Sequence, residues 1–308
     1  MTRSESFSFN PARDIPSLSG KVILVTGGTA GLGTETIFQL SKHTPQRILF
    51  TGRNAASAEK VIQSAKEANA NLDIAFVQCD FNSLKSVHDA GKHVLSTNTR
   101  LDILMCNAGI MAVPKALTSD GYEVQFGVNH LAHALLIKTL LPLLLRTSEL
   151  PSADVRIISS SSLGFAFATS IVFDKLRTEH DMAVLGAFRR YGDSKLANVL
   201  YAQQLAVHYP QITSVSIHPG VIRTGLIDTL STFNKCFCEL ATVGQKISIQ
   251  DGAKNQLWAA TCKKEKIQNG VFYEPVGKVG RTTSASKDAK LAAKLWEWTE
   301  GELKAFES

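Results

Sequence analysis

Tyr191 and Lys195 stand four residues apart in the run YGDSK. On a helix that spacing puts both side chains on one face. A free phenol titrates near pH ~10. An ammonium beside it favours the phenolate and brings proton exchange closer to neutral pH. Such a pair can give a proton to a ketone oxygen or take one from an alcohol. The spacing alone is common in helices, and a core tyrosine beside a solvated lysine would show it too. Its meaning depends on what converges on it.

Two other stretches are candidates for that convergence. RIISSSS, from Arg156 to Ser162, ends a short apolar run in four serines. A hydroxyl held there could steady charge developing on a substrate oxygen. A polar strand end running into a turn is the plainer reading. VTGGTAGLG, from Val25 to Gly33, follows a predicted strand and opens a predicted helix. Glycines there permit a tight turn and let a pyrophosphate approach the helix N-terminus, where free N–H groups and the dipole favour negative charge. The spacing is T-G-x-x-x-G-x-G, not the more familiar GxGxxG. Its place in the first βα unit points to a nucleotide. At the end of the second strand, LFTGRN puts Gly52 where NAD-preferring folds carry an acid for the ribose hydroxyl. Arg53 follows, and a guanidinium grips a phosphate in bidentate fashion. The missing acid and the arginine together favour NADP.

Positioning these residues requires strands whose C-terminal ends meet. Segments 21–26, 47–51, 73–78, 101–106, 154–159 and 213–218 read as buried strands, with 270–274 as a seventh. Helical segments at about 31–43, 54–69, 83–97, 118–147, 186–208 and 250–262 alternate with them. Alternation over this length predicts an α/β fold: one Rossmann-type, doubly wound domain. Its seven-stranded sheet is expected to be mostly or wholly parallel, with helices on both faces. Residues 1–18 are expected to form an N-terminal arm and 19–308 the single domain. The irregular, partly apolar stretch 223–249 reads as a lid over the substrate, as an ordinary amphipathic helix or as a shallow membrane contact.

These features resemble the short-chain dehydrogenase/reductase family over roughly residues 18–280. The motifs occur in order: TGGTAGLG, CD with Asp80, NAG at Asn107 to Gly109, Asn129 in GVNHLAHALL, the serine run, YGDSK, and HPGVIRTGL after the sixth strand. The long gap between serine and tyrosine, and VNHLAHALLIKTLLPLL, resemble the retinol-dehydrogenase and WW-domain-oxidoreductase branch. Cys106 departs from the family's NNAG, although Asn107 is kept.

The resemblance implies roles. Tyr191 is the acid/base, and Lys195 binds the nicotinamide ribose and tunes it. Asn129 holds a relay water. The family's serine falls on Ser162, with Ser161 as the alternative one residue away; Ser159 and Ser160 belong to the strand end. Thr26, Gly27, Thr29, Gly31, Leu32 and Gly33 cradle NADP(H), with Arg53 and Asn54 at its adenosine phosphate. Asp80 hydrogen-bonds the adenine, Asn107 and Gly109 line the adenosine side, and Phe81 and Ala108 are further cofactor-binding candidates. Pro219, Gly220, Ile222 and Thr224 receive the nicotinamide end. His218 reads as structural. The implied activity is an NADP-dependent carbonyl reductase or alcohol dehydrogenase. Its substrate is expected to be a bulky hydrophobic ketone or alcohol, steroid-, retinoid- or polyketide-like. The same fold also supports dehydratases, epimerases and cyclases, or a nucleotide-binding sensor or scaffold without activity.

Composition narrows the rest. The chain has 308 residues, 44% hydrophobic and 19% charged, enough for a sizeable core. Net charge is +6, but the basic residues are scattered and not interleaved with aromatics, so nucleic acid is not expected as a partner. Five cysteines without a CxxC pair suggest neither a disulfide framework nor a metal site. The N-terminus has no apolar signal core, and a cytoplasmic setting is expected. The most apolar stretch, 131–145, is interrupted by Lys138 and Pro142, and reads as a buried helix and not a membrane span. A homodimer through the helices after the fourth and fifth strands is a possible assembly, by the same resemblance.

Overall fold

The computed structural model describes residues 9–182, 185–222 and 246–306. Strand β1 (Val22–Val25) is central and fully buried. It pairs in parallel with β2 (Arg47–Gly52) on one side and β4 (Ile103–Cys106) on the other. β3 (Ile74–Gln78) lies outside β2, while β5 (Arg156–Ser160), β6 (Thr213–Ile217) and β9 (Phe272–Glu274) continue beyond β4. All of these pairings are parallel. The expected seven parallel strands are therefore present, and the sheet has an eighth. β10 (Lys278–Val279) pairs antiparallel with β9 at the edge, across a turn at Gly277, whose φ is +68°. Its two residues are exposed and carry no apolar run, which is why the strand pattern does not show it. A separate parallel pair joins β7 (Val221–Ile222) to β8 (Lys246–Ile247).

Strand side chains alternate between two cores, as the pleat requires. Val22 and Leu24 face one layer, Ile23 and Val25 the other. The first layer holds α4 (Leu84–Thr97), α6 (Ala132–Ser148) and α7 (Gly186–His208). The second holds α2 (Gly31–Ser41), α3 (Ala55–Ala68) and α8 (Ile249–Thr261). The described part of the N-terminal arm packs on this second layer: α1 (Pro11–Asp14) sits between buried Phe9 and buried Ile15 and Leu18. The apolar stretch 131–145 is mostly buried, in α6 and the turn before it.

Two features go beyond the sequence reading. The helical segment expected over 118–147 begins at α5 (Val124–Phe126), then passes through a π-turn (Gly127–Leu131) into α6. A π-turn holds one extra residue per turn and is frequent at functional sites. Near the C-terminus, α9 (Ala289–Glu302) is capped by Asp288, whose carboxylate accepts from Lys290 and Leu291 N–H. It lies across α7 and reaches α6. Trp296 stacks on His208 at 4.2 Å between ring centroids, and Lys138 pairs with Glu300.

Candidate functional site

The C-terminal ends of the parallel strands carry the candidate residues, at the switch point where the strand order reverses between β1 and β4. The turn after β1 needs its glycines. Gly27 has φ +65°, and a Cβ there would lie 2.9 Å from Ala108 Cα. A Cβ on Gly33 would lie 2.2 Å from Gly27 O. Gly31, at φ +54°, opens α2. The N-cap Ala30 offers no side-chain acceptor, so the first N–H groups of α2 point outward without a side-chain cap. The donor set suits a pyrophosphate.

Gly52 is fixed by packing. A Cβ there would meet Thr29 Cγ2 at 2.5 Å, so an acid at this point would displace Thr29. Arg53 is exposed and borders a cavity of about 780 Å³, lined also by Gln78, Asp80, Ser83 and Lys85. Two neighbours have other duties. Asn54 caps α3, its side chain accepting from Ser57 N. The Phe81 side chain is buried against the His133 ring, centroids 4.5 Å apart. The cap uses Asn54 Oδ1, and the core contact uses the Phe81 ring. Asp80 is half-buried, and its carboxylate accepts from Asn82 N.

The NAG loop is tied to β1. Thr26 Oγ1 accepts from Asn107 N at 2.8 Å and Ala108 N at 2.9 Å, and Asn107 Nδ2 donates to Thr26 O. Gly109 passes close to the catalytic candidates: a Cβ there would lie 3.0 Å from Asn129 Oδ1 and 3.5 Å from Lys195 Nζ. Asn129, in the π-turn, is completely buried. Its Oδ1 accepts from Ile110 N, and its Nδ2 donates to Ile110 O and to Ser194 Oγ. Lys195 is buried too, with Nζ donating to Ser160 O at 3.0 Å and lying 5.5 Å from the Tyr191 ring centroid. Burial pushes its ammonium down to about 8.

The serines separate. Ser159 and Ser160 belong to β5. Ser161 is buried and its Oγ donates to Lys195 O at 2.8 Å. Ser162 is half-exposed, with its Oγ accepting from Gly164 N. A Cβ on Gly164 would lie 3.1 Å from Tyr191 Cε1 and 3.4 Å from Ser162 Oγ. Ser162 Oγ and the Tyr191 ring therefore both border Gly164.

After β6, Pro219 is half-buried and Gly220 turns with φ +97°, while Ile222 is buried beneath α8. Thr224 and most of the expected lid, 223–245, lie outside the described residues. His218 is buried and held down to about 4, first by burial, in keeping with a structural place. Among the described residues no group of His, Cys, Asp and Glu is arranged to hold a metal.

Comparison with known proteins settles the family. Residues 21–170 match the family described as short chain dehydrogenase. A short-chain dehydrogenase/reductase, drtF of Aspergillus calidoustus, is 35% identical over 95% of this chain and 96% of its own. The chain belongs to the short-chain dehydrogenase/reductase family. It falls in the retinol-dehydrogenase-like branch, with human retinol dehydrogenase 11 at 31% identity over 91% of this chain and 85% of that one. An uncharacterised protein from Mycobacterium paratuberculosis has the same fold, with a TM-score of 0.74, 25% identity and 96% of this chain and 97% of that one covered. Two further members of the fold carry nicotinamide cofactors. One is a 3-ketoacyl-(acyl-carrier-protein) reductase from Brucella melitensis complexed with NADH, at TM-score 0.65, 22% identity, and 85% and 98% coverage. The other is a short chain dehydrogenase from Shigella flexneri complexed with NADP, at 0.63, 19%, and 84% and 98%.

Within this dehydrogenase/reductase site, sequence reading passed over several positions. Asn198 shares the Ser160 carbonyl with Lys195, donating to it at 3.0 Å. Its signal was the i, i+3 spacing from Lys195. Ser194 bridges Asn129 and Tyr191 O. Gly164 is needed because a larger residue would press on Tyr191.

Proposed function

We propose that this chain is an NADP(H)-dependent oxidoreductase that moves a hydride between the cofactor and a bulky, hydrophobic ketone or alcohol. The observation that carries the proposal is that Ser162 and Tyr191 both border Gly164, with Lys195 Nζ near the Tyr191 ring and Asn129 beside it at Gly109. When bound, the nicotinamide would supply or accept the hydride, and the protein's share is position and electrostatics. Thr26 to Gly33 and the open N-terminus of α2 would hold the pyrophosphate. Ser162 Oγ would donate to the substrate oxygen and steady the charge that grows on it. Tyr191 would give that oxygen its proton in reduction and take it back in oxidation. Lys195, lowered to about 8, exchanges its own proton near working pH and can follow Tyr191. Asn129 would hold the water through which that proton reaches solvent.

NADP over NAD is supported by Gly52, which leaves no room for an acid, and by exposed Arg53 at the mouth of the adjoining cavity. An apolar substrate is supported by a small hydrophobic cluster apart from the two cores. Ala112 and Phe188 form it, with Met111, Leu185 and Ala187 against them. Met111 follows Gly109 by two residues, and Phe188 precedes Tyr191 by one helical turn on the same face. Titration with NADPH and NADH, followed by fluorescence, tests the reading without a substrate. Selective NADPH binding is expected, and a preference for NADH would overturn the cofactor assignment.

A further inference from the structure

His133 lies on the first turn of α6, buried to 4% exposure, and no catalytic step uses it. Its ring touches two polar atoms. Nε2 is 2.9 Å from Thr26 Oγ1, and Nδ1 is 3.1 Å from the Asn129 carbonyl oxygen. Counting donors and acceptors assigns the proton. Thr26 Oγ1 already accepts from Asn107 N and Ala108 N, which uses both lone pairs. Its own hydrogen must then go to His133 Nε2, which therefore carries none. The Asn129 carbonyl can only accept, so Nδ1 must carry the hydrogen. Both contacts demand the same neutral tautomer. Burial, helped by the nearby Lys195 charge, holds the ring down to about 3, so it stays neutral across the working range. Phe81 packs against the ring and fixes its plane.

The two ends of this bridge matter differently. Thr26 organises the glycine turn and the NAG loop. Asn129 reaches Ser194 and the loop at Gly109, where Lys195 Nζ also lies. We propose that His133 is a positioning residue that couples the cofactor-binding turn to the Asn129–Lys195 end of the site through one fixed imidazole tautomer. This rests on the oxidoreductase reading for its purpose, but the tautomer and the bridge are properties of the chain alone.

Three variants separate the two contacts. His133→Gln can present an acceptor near the Nε2 position and keep Thr26. His133→Asn can present a donor near Nδ1 and keep the Asn129 carbonyl. His133→Leu keeps neither. NADPH affinity reads the first contact by fluorescence titration. The pH midpoint of Tyr191, taken from phenolate absorbance with NADP⁺ bound and corrected with Tyr191→Phe, reads the second. We expect His133→Gln to hold NADPH affinity but raise the Tyr191 midpoint. His133→Asn should hold the midpoint but weaken NADPH about tenfold, the scale of one lost buried hydrogen bond. His133→Leu should show both effects. Nitrogen-15 NMR of the cofactor-free protein should find His133 neutral and protonated on Nδ1. Protonation on Nε2, or losses in Gln and Asn that follow only their loss of stability, would overturn the coupling. If wild type binds neither nucleotide while the tautomer is as stated, the functional reading fails and the bridge stands. Should His133→Leu not fold, the Gln and Asn pair still decides.

Discussion

Ser161 and Ser162 are adjacent and turned opposite ways: Ser161 Oγ donates into the protein to Lys195 O, while Ser162 Oγ lies at the half-exposed surface over Gly164, next to Tyr191. The register ambiguity of the serine run therefore becomes a difference in environment. Ser162→Ala should lower turnover by about 10²–10³-fold, the usual loss for one donor to a developing oxyanion, and cost only about 0.5–1 kcal/mol of stability through its lost cap on Gly164 N. Ser161→Ala removes a second hydrogen bond from the Lys195 carbonyl, which the helix ladder of α7 still satisfies, and should lower stability by about 0.5–1.5 kcal/mol while the folded fraction keeps most activity. Steady-state turnover and urea midpoints on both variants decide it. Full activity in Ser162→Ala would move the role to Ser161.

Cofactor choice offers an asymmetric test. Arg53→Ala should cost about tenfold in NADPH affinity and leave NADH binding nearly unchanged, because on the proposed reading the guanidinium would hold only the extra phosphate. Gly52→Asp should not convert the protein to NADH. The new Cβ would press on Thr29 Cγ2 and disturb the glycine turn itself. Binding of both nucleotides should fall. Adding Thr29→Gly makes room, and only the double variant should gain NADH. A single Gly52→Asp that binds NADH tightly would show that Thr29 yields easily.

Much of the frame was legible because its causes are local. Short β-branched runs such as VILV and ILMC mark strands buried on both faces, and the glycines mark backbone that no Cβ can follow. The shared face of Tyr191 and Lys195, the candidate pair, was legible because helical spacing puts residues four apart on one side. What was missed depends on contacts distant in the chain. β10 is two exposed residues that exist only as a partner for β9. α9 carries no motif, and its place follows from the faces of α6 and α7 it covers. The extra residue of the π-turn leaves the apolar pattern of 118–147 readable as one helix. Asn54 and Phe81 sit where the resemblance implies cofactor contacts, and the structure adds that one also caps α3 and the other packs on His133. Residue type at a motif position does not show which neighbour claims the side chain.

Asp193, between Tyr191 and Lys195, predicts a pH-dependent stability. It is buried, and its Oδ2 has no hydrogen-bond partner among the described residues. Burial raises its carboxyl to about 7; Glu123 adds to this, and Arg189 and Arg190 oppose it. Unfolded, it titrates near 3.8. The folded protein thus binds the extra proton between these values, and stability falls as pH rises through that window. The cost is absent below pH ~4 and complete above pH ~7, on the order of 4 kcal/mol at most. Asp193→Asn should therefore be more stable than wild type at pH 8 and indistinguishable near pH 4. Urea midpoints at the two pH values read the difference directly. A gap that does not change with pH would mean the side chain acts by shape alone.

The last prediction concerns assembly. The helices after β4 and β5 are the ones through which a dimer was expected, and α9 already lies against both. Leu295 is fully buried there, Trp296 stacks on Tyr201 and His208, and Thr299 meets buried His130. Glu302 binds Tyr122 and Arg177, which fastens the helix to the segment between Ser162 and Tyr191 as well. A second copy would have to displace these contacts to reach the same faces. The full chain should therefore run as a monomer in light scattering at micromolar concentration. Ending the chain at Asp288 bares the apolar faces of α6 and α7 and should produce dimers or larger species. Leu295→Ala, a milder change, should cost about 2–5 kcal/mol by leaving a cavity under α9. If full-length protein is a dimer and Leu295→Ala leaves that dimer intact, the subunits meet on another face. If Leu295→Ala dissociates it, α9 is part of the interface and not its substitute.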